Sequence, residues 1–172
     1  MVKHIPGHGR ATADSHKDLP TVTANETDLE IDIAPFRTLA SAPIAMTAHV
    51  RYAVWDYDNP GTQSAYVIGE IIRKRIGFDG LLLTDDLDMD ALSGSVPQRA
   101  VRAIAAGCDI ALNCWADMEH MVGIAEVLPA ITDRAAARLE RALAGTDMSS
   151  VDLGRQAELL ATRDALLGLI EA

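Results

Sequence analysis

The chain has 172 residues, 49% hydrophobic and 23% charged, which is enough apolar content for one sizeable core and too little charge for a disordered polypeptide. Its formal net charge of −10, from 15 Lys and Arg against 25 Asp and Glu, argues against nucleic acid or an anionic membrane surface as a partner. Two cysteines, Cys108 and Cys114, supply neither a disulfide framework nor a metal-type spacing, which points to a reducing compartment.

In chain order, a short strand is expected at residues 2–5, then a long polar loop, PGHGRATADSHKDLP, and a helical stretch over residues 24–39. PIAMTAHV, residues 43–50, follows a proline and reads as a buried strand. SAYVIGEIIRKRIG places Val67, Ile68, Ile71, Ile72 and Ile76 on one helical face, with Ser64 as N-cap and Gly77 as stop. GLLLTD is the next strand. The helix after it has Pro97 in its first turn, an Ala100–Val101–Ile104–Ala105 stripe and Gly107 as its end. CDIALNC reads as a further strand and DMEHMVGIAEVL as a helix. Residues 131–170 read as helical, with Leu159, Leu160, Arg163, Leu166, Leu167 and Ile170 on a mainly apolar stripe. Met46, Met89 and Met121 are assigned to the core. The N-terminal MVKHIPGHGR has no apolar signal core, and no apolar run approaches the roughly 20 residues that cross a bilayer, so a cytoplasmic, membrane-free protein is expected.

Alternating apolar strands and amphipathic helices imply a parallel α/β sheet buried on both faces, whose ligands sit beyond the carboxyl ends of the strands. Those ends are polar here: Lys3 and His4, then His49, then Asp85 and Asp86, then Asn113. Within LLLTDDLDMD, Asp85 follows its strand directly and stands at the rim. Asp86, Asp88 and Asp90 read as residues that cap and solvate the next turn. A calcium loop starting at Asp86 fails, because Ala91 stands where glycine is needed and Pro97 where glutamate is needed. In the long loop, His4, His8, His16 and Asp14 have the donor types for zinc or manganese, without a compact ligand spacing. Asp14 beside His16 also has the make-up of an acid/base pair, a carboxylate fixing an imidazole's tautomer.

Three ordered segments, KHIPGHGRATADSHKDLP, TAHV and GFDGLLLTDDLDM, resemble the signatures of glycoside hydrolase family 3 β-N-acetylglucosaminidases, the bacterial β-hexosaminidases of peptidoglycan recycling. The resemblance implies retaining hydrolysis of terminal non-reducing β-linked N-acetylglucosamine through a covalent glycosyl-aspartate. In it Asp85 is the nucleophile, His16 the acid/base oriented by Asp14, and Lys3, His4 and His49 the sugar-binding residues. No metal or organic cofactor is implied. The implied substrate is an N-acetylglucosamine-containing muropeptide or glycoside. The likeness spans residues 1–144, and residues 145–172 form a helical extension without a signature. The family's fold is a (β/α)₈ barrel of about 250 residues, so this chain is expected to be its C-terminal half, with about four parallel strands. Exposed strand edges then predict poor activity alone and either self-association or a complementing N-terminal half. Two alternatives remain from the residues: an inactive sugar-binding fragment and a metal-dependent hydrolase using His4, His8, His16 and the aspartates.

Overall fold

The computed structural model describes residues 1–144 and 153–168. The chain divides into two compact units, Met1–Ala142 and Leu143–Ala172. In order, the elements are strands β1 (Val2–Ile5) and β2 (Thr21–Val22), helix α1 (Glu26–Thr38), strands β3 (Ile44–Thr47) and β4 (Arg51–Tyr52), a 3₁₀ turn (Gly61–Gln63), a π-helix (Val67–Ile76), strand β5 (Leu81–Leu83), and helices α2 (Val96–Ala106), α3 (Met118–Val127), α4 (Asp133–Leu143) and α5 (Leu153–Gly168).

β1, β3 and β5 form a parallel sheet in the order β1-β3-β5. A second, two-stranded parallel sheet joins β2 to β4, a pairing the sequence reading does not contain. The expected strand at CDIALNC is reduced to a single parallel bridge, Leu83 with Ile110. The ladder stops there for a chemical reason. The Leu112 N–H is taken by the Thr84 hydroxyl (2.8 Å), and the Leu112 carbonyl accepts from Leu87 in the turn after β5 (3.0 Å).

Strand residues Ile5, Ala45 and Leu82 pack with Leu29 and Ile33 of α1 and with Val67, Ile68, Ile71, Ile72 and Ile76, all buried in one cluster. The predicted apolar face of the 67–76 helix is therefore the buried one, although its winding is π rather than α. Ser64 caps it, its hydroxyl accepting from Val67 N–H (3.1 Å), and Gly77 ends it in the left-handed region (φ 84). α2 has Pro97 in its first turn as expected, and it starts with a capping box the sequence reading lacks, in which Ser95 and Gln98 satisfy each other's backbone N–H groups. Its buried residues are Val96, Ala100 and Ala103, and Val101, expected inside, is exposed. Met46 and Met89 are buried as expected, whereas Met121 on α3 is exposed. Within the C-terminal stretch the described helices are α4 and α5, and Ile170 lies outside the described residues. No helix among the described residues is long and apolar enough to cross a membrane.

At the strands' amino ends, Asp109 gathers a cluster of buried charges. Its carboxylate accepts from Arg73 (2.7 Å), Arg138 of α4 (2.9 Å) and the Leu82 N–H (2.9 Å), tying helix, sheet and bridge together. Gly80 lets β5 begin close to β3, since a Cβ there would lie 2.6 Å from the Ala42 carbonyl and 2.7 Å from that of Pro43.

Candidate active site

Parallel pairing puts the carboxyl ends of β1, β3 and β5 on one side, and the polar residues named from the sequence gather there. β1 carries Lys3 and His4 at an irregular register between Val2 and Ile5; the Lys3–His4 and Ile5–Pro6 peptide bonds are cis. Lys3 is exposed. The His4 Nε2 is 3.4 Å from Asp85 Oδ2, with both side chains partly open to solvent. Burial lowers the His4 pKa. Asp85 opposes that shift, while Lys3, His8 and His16 add to it. The balance favours a neutral imidazole near neutral pH.

Asp85 stands one residue beyond Thr84, which is fully buried and leaves β5 for the turn. Its Oδ1 accepts from the Asp86 N–H (2.9 Å), so the carboxylate is steered by its own turn. That turn is braced from within by His49. The sequence reading places His49 on the sugar, but the side chain is completely buried and both ring nitrogens are engaged. Nε2 is 3.0 Å from the Asp86 carbonyl, which only accepts, so Nε2 carries the proton. Burial lowers the His49 pKa and keeps the ring neutral. Nδ1 is then an acceptor for the Thr62 hydroxyl (2.7 Å), which in turn meets Thr47 (2.8 Å). His49 thus holds the Asp85–Asp86 turn from behind and has no free atom for a ligand.

The other half of the rim is the long loop. Asp14 Oδ1 accepts from the His16 backbone N–H (3.0 Å) and lies 2.9 Å from His16 Nδ1. These bonds hold the Asp14 carboxyl below the usual carboxylate range. With Nδ1–H committed to Asp14, His16 offers Nε2 outward, and its side chain is 76% exposed. Ser15 between them is buried and lies 3.2 Å from His8 Nε2. The His16 carbonyl accepts from the Asp90 N–H (3.4 Å), bringing the DSH loop to the turn that carries Asp85. At its start the loop is pinned by the Tyr52 hydroxyl, which donates to the Gly7 carbonyl (2.7 Å).

Two expectations are revised. His4 meets Asp85, His8 meets Ser15 and His16 meets Asp14, and among the described residues no group of three or more His, Cys, Asp or Glu side chains is placed to hold a metal. The His4 and His8 rings lie 5.6 Å apart, but the three imidazoles of the metal alternative do not converge on one point as a ligand set. Asp88, assigned to solvation, instead has a largely covered side chain paired with His120 of α3 (2.9 Å) and with Asn113. His120 has no local signal in the sequence, because its partner is 32 residues away.

Comparison with known proteins gives the family. Residues 1–144 match the glycosyl hydrolase family 3 N-terminal domain. The β-hexosaminidase of Alkalilimnicola ehrlichii is 45% identical over 117 residues, 65% of this chain and 33% of that protein. Among solved structures, a family 3 β-N-acetylglucosaminidase from Paenibacillus superposes with a TM-score of 0.75 at 32% identity, over 88% of this chain and 32% of that one. NagZ from Neisseria gonorrhoeae gives 0.73 at 32% identity, over 91% of this chain and 45% of that one. The chain spans about a third to two fifths of the length of the curated relatives it matches.

Proposed function

We propose, from the premise that this chain belongs to glycosyl hydrolase family 3, that it carries the nucleophile and acid/base of a retaining β-N-acetylhexosaminidase. The substrate is a terminal, non-reducing β-linked N-acetylglucosamine. The observation that carries this reading is the shared rim: Asp85 with His4 3.4 Å from its Oδ2, and the Asp14–His16 pair on a loop bonded to the same turn. The names of the relatives, β-hexosaminidase and β-N-acetylglucosaminidase, support it.

In the first step Asp85 Oδ2 attacks the anomeric carbon as the glycosidic bond breaks, and His16 delivers its Nε2 proton to the leaving oxygen. Asp14 keeps the Nδ1–H in place and stabilises the imidazolium before transfer. In the second step neutral His16 takes a proton from water at Nε2, the water oxygen bonds to the anomeric carbon, and Asp85 is released. An imidazole replaces the second carboxylate of the usual retaining pair, and the exposed loop position leaves it accessible to an incoming glycoside. Lys3 and the neutral His4 hydrogen-bond sugar hydroxyls, Lys3 as the donor. On the family resemblance alone, we extend the substrate to cytoplasmic peptidoglycan fragments.

A chromogenic N-acetylglucosaminide tests the assignment. Hydrolysis is expected to vanish in Asp85→Asn. In His16→Ala it is expected to fall by about 10²–10⁴-fold, the usual range for general acid–base catalysis, and more steeply for poor leaving groups. Full activity in Asp85→Asn would end the reading.

We further propose that the β1-β3-β5 sheet is a segment of a (β/α)₈ barrel. β1 pairs on one side only among the described residues, and an open parallel edge is a template for another strand. Activity then depends on covering that edge, with a second copy or with a polypeptide supplying the remaining strands.

A further inference from the structure

The aspartate run after β5 contains a second carboxylate–imidazole pair that the proposed mechanism does not use. We propose that His120 of α3 is a positioning residue for Asp85, locking, through Asp88, the turn that presents the nucleophile.

Asp88 is three residues past Asp85, and its side chain is only 8% exposed. Both of its oxygens are taken. Oδ1 is 2.9 Å from His120 Nδ1, and Oδ2 accepts from the Asn113 amide. A carboxylate only accepts, so the His120 Nδ1 carries a proton. The Asn113 contact comes at the expense of that residue's own carbonyl, whose Oδ1 is buried without a hydrogen-bond partner among the described residues. The same turn is stitched to the 112–114 segment twice more. Leu87 N–H donates to the Leu112 carbonyl (3.0 Å), and Cys114 N–H donates to Asp86 Oδ1 (3.0 Å), which also accepts from Asp88 N–H (3.2 Å). α3 has no fully buried side chain of its own. α3 is held by packing of Ile124 against the Leu87–Leu92–Val96–Ala100 cluster, and the His120 bond adds a direct tie from that anchored helix to the turn.

The effect reaches Asp85 through Asp86. Asp85 Oδ1 is fixed by the Asp86 N–H; the Asp86 carbonyl is held by His49 from inside, and the Asp86 side chain accepts from the Asp88 and Cys114 N–H groups from outside. Releasing His120 loosens the outer grip and lets the Asp85 carboxylate drift from His4.

That drift has a readout free of any activity. The charges acting on the His4 ring are those of Asp85, Lys3, His8 and His16, and of these only Asp85 raises its pKa. His4 is to be titrated by NMR in the wild type and in His120→Ala, His120→Asn and Asp85→Asn. With Asp85 displaced, the His4 midpoint in His120→Ala is expected to move down, towards that of Asp85→Asn. In His120→Asn, whose amide N–H lies near the position of the imidazole Nδ1–H, it is expected to return. Loss of a positive charge alone would move the midpoint up. An unchanged or raised midpoint in folded His120→Ala overturns the proposal, and His120→Leu, which keeps the volume, replaces Ala if that variant does not fold. The catalytic meaning rests on Asp85 as nucleophile. If that assignment fails, His4 shifts and Asp85 resists a mechanism-based label. If positioning fails, Asp85 takes the label and His4 stays put.

Discussion

Four aspartates that look alike in sequence have different duties because each meets different partners. Asp85 shares its rim with His4, Asp86 is the hub of backbone bonds in the turn, the Asp88 side chain is largely covered and paired with His120, and the Asp90 N–H ties the turn to the DSH loop. Strand-end position was enough to single out Asp85 from the sequence. Burial decided the fate of His49 and Asp88, and burial is not written in a local pattern. Two imidazoles, the half-buried His4 and the fully buried His49, also set a pH dependence. His4 and His49 both titrate below the usual imidazole value of about 6.5. Below that value the unfolded chain binds protons that the folded one resists, so their contribution is present above about 6.5 and lost as pH falls through the folded midpoints. The urea midpoint is expected to drop between pH 7 and pH 5, and His49→Gln to show a shallower drop. An equal slope in the variant would assign the effect elsewhere.

At the scale of elements, the Asp109 node makes the strongest stability claim. Its side chain is 6% exposed and that of Arg73 12%, and Asp109 is the carboxylate that pairs with Arg73. Asp109→Ala leaves a buried guanidinium without its counter-charge, and the expected loss is about 3–5 kcal/mol. Urea denaturation would measure it, and a loss below about 1 kcal/mol, the range of surface pairs, would mean that water screens the site. The elements themselves were largely legible. Apolar runs at residues 44–47 and 81–83 are strands, and Ser64, Gly77 and Gly107 bound their helices. What the sequence hid depends on distance. The β2–β4 pair is two residues on each side and has no period to detect. The strand at CDIALNC shrinks to a bridge because Thr84 and the Leu87 turn divert its Leu112 groups. The π winding preserves the apolar face that a 3.6-residue period predicts, so the pattern alone does not separate the two helices.

For the whole molecule, the chain belongs to glycosyl hydrolase family 3, and the proposal that its sheet is a barrel segment makes activity depend on covering the open side of β1. Size-exclusion chromatography with light scattering is expected to show a species larger than one chain, and a well-behaved, fully active monomer would contradict the barrel-segment proposal. The claim on which the account depends is the role of Asp85. A fluorinated N-acetylglucosamine-type inactivator traps the glycosyl-enzyme at the attacking atom, and peptide mass spectrometry of an active preparation then reads its position. The account predicts the added sugar on Asp85; a label on any other side chain, or none on protein that turns over substrate, would contradict it.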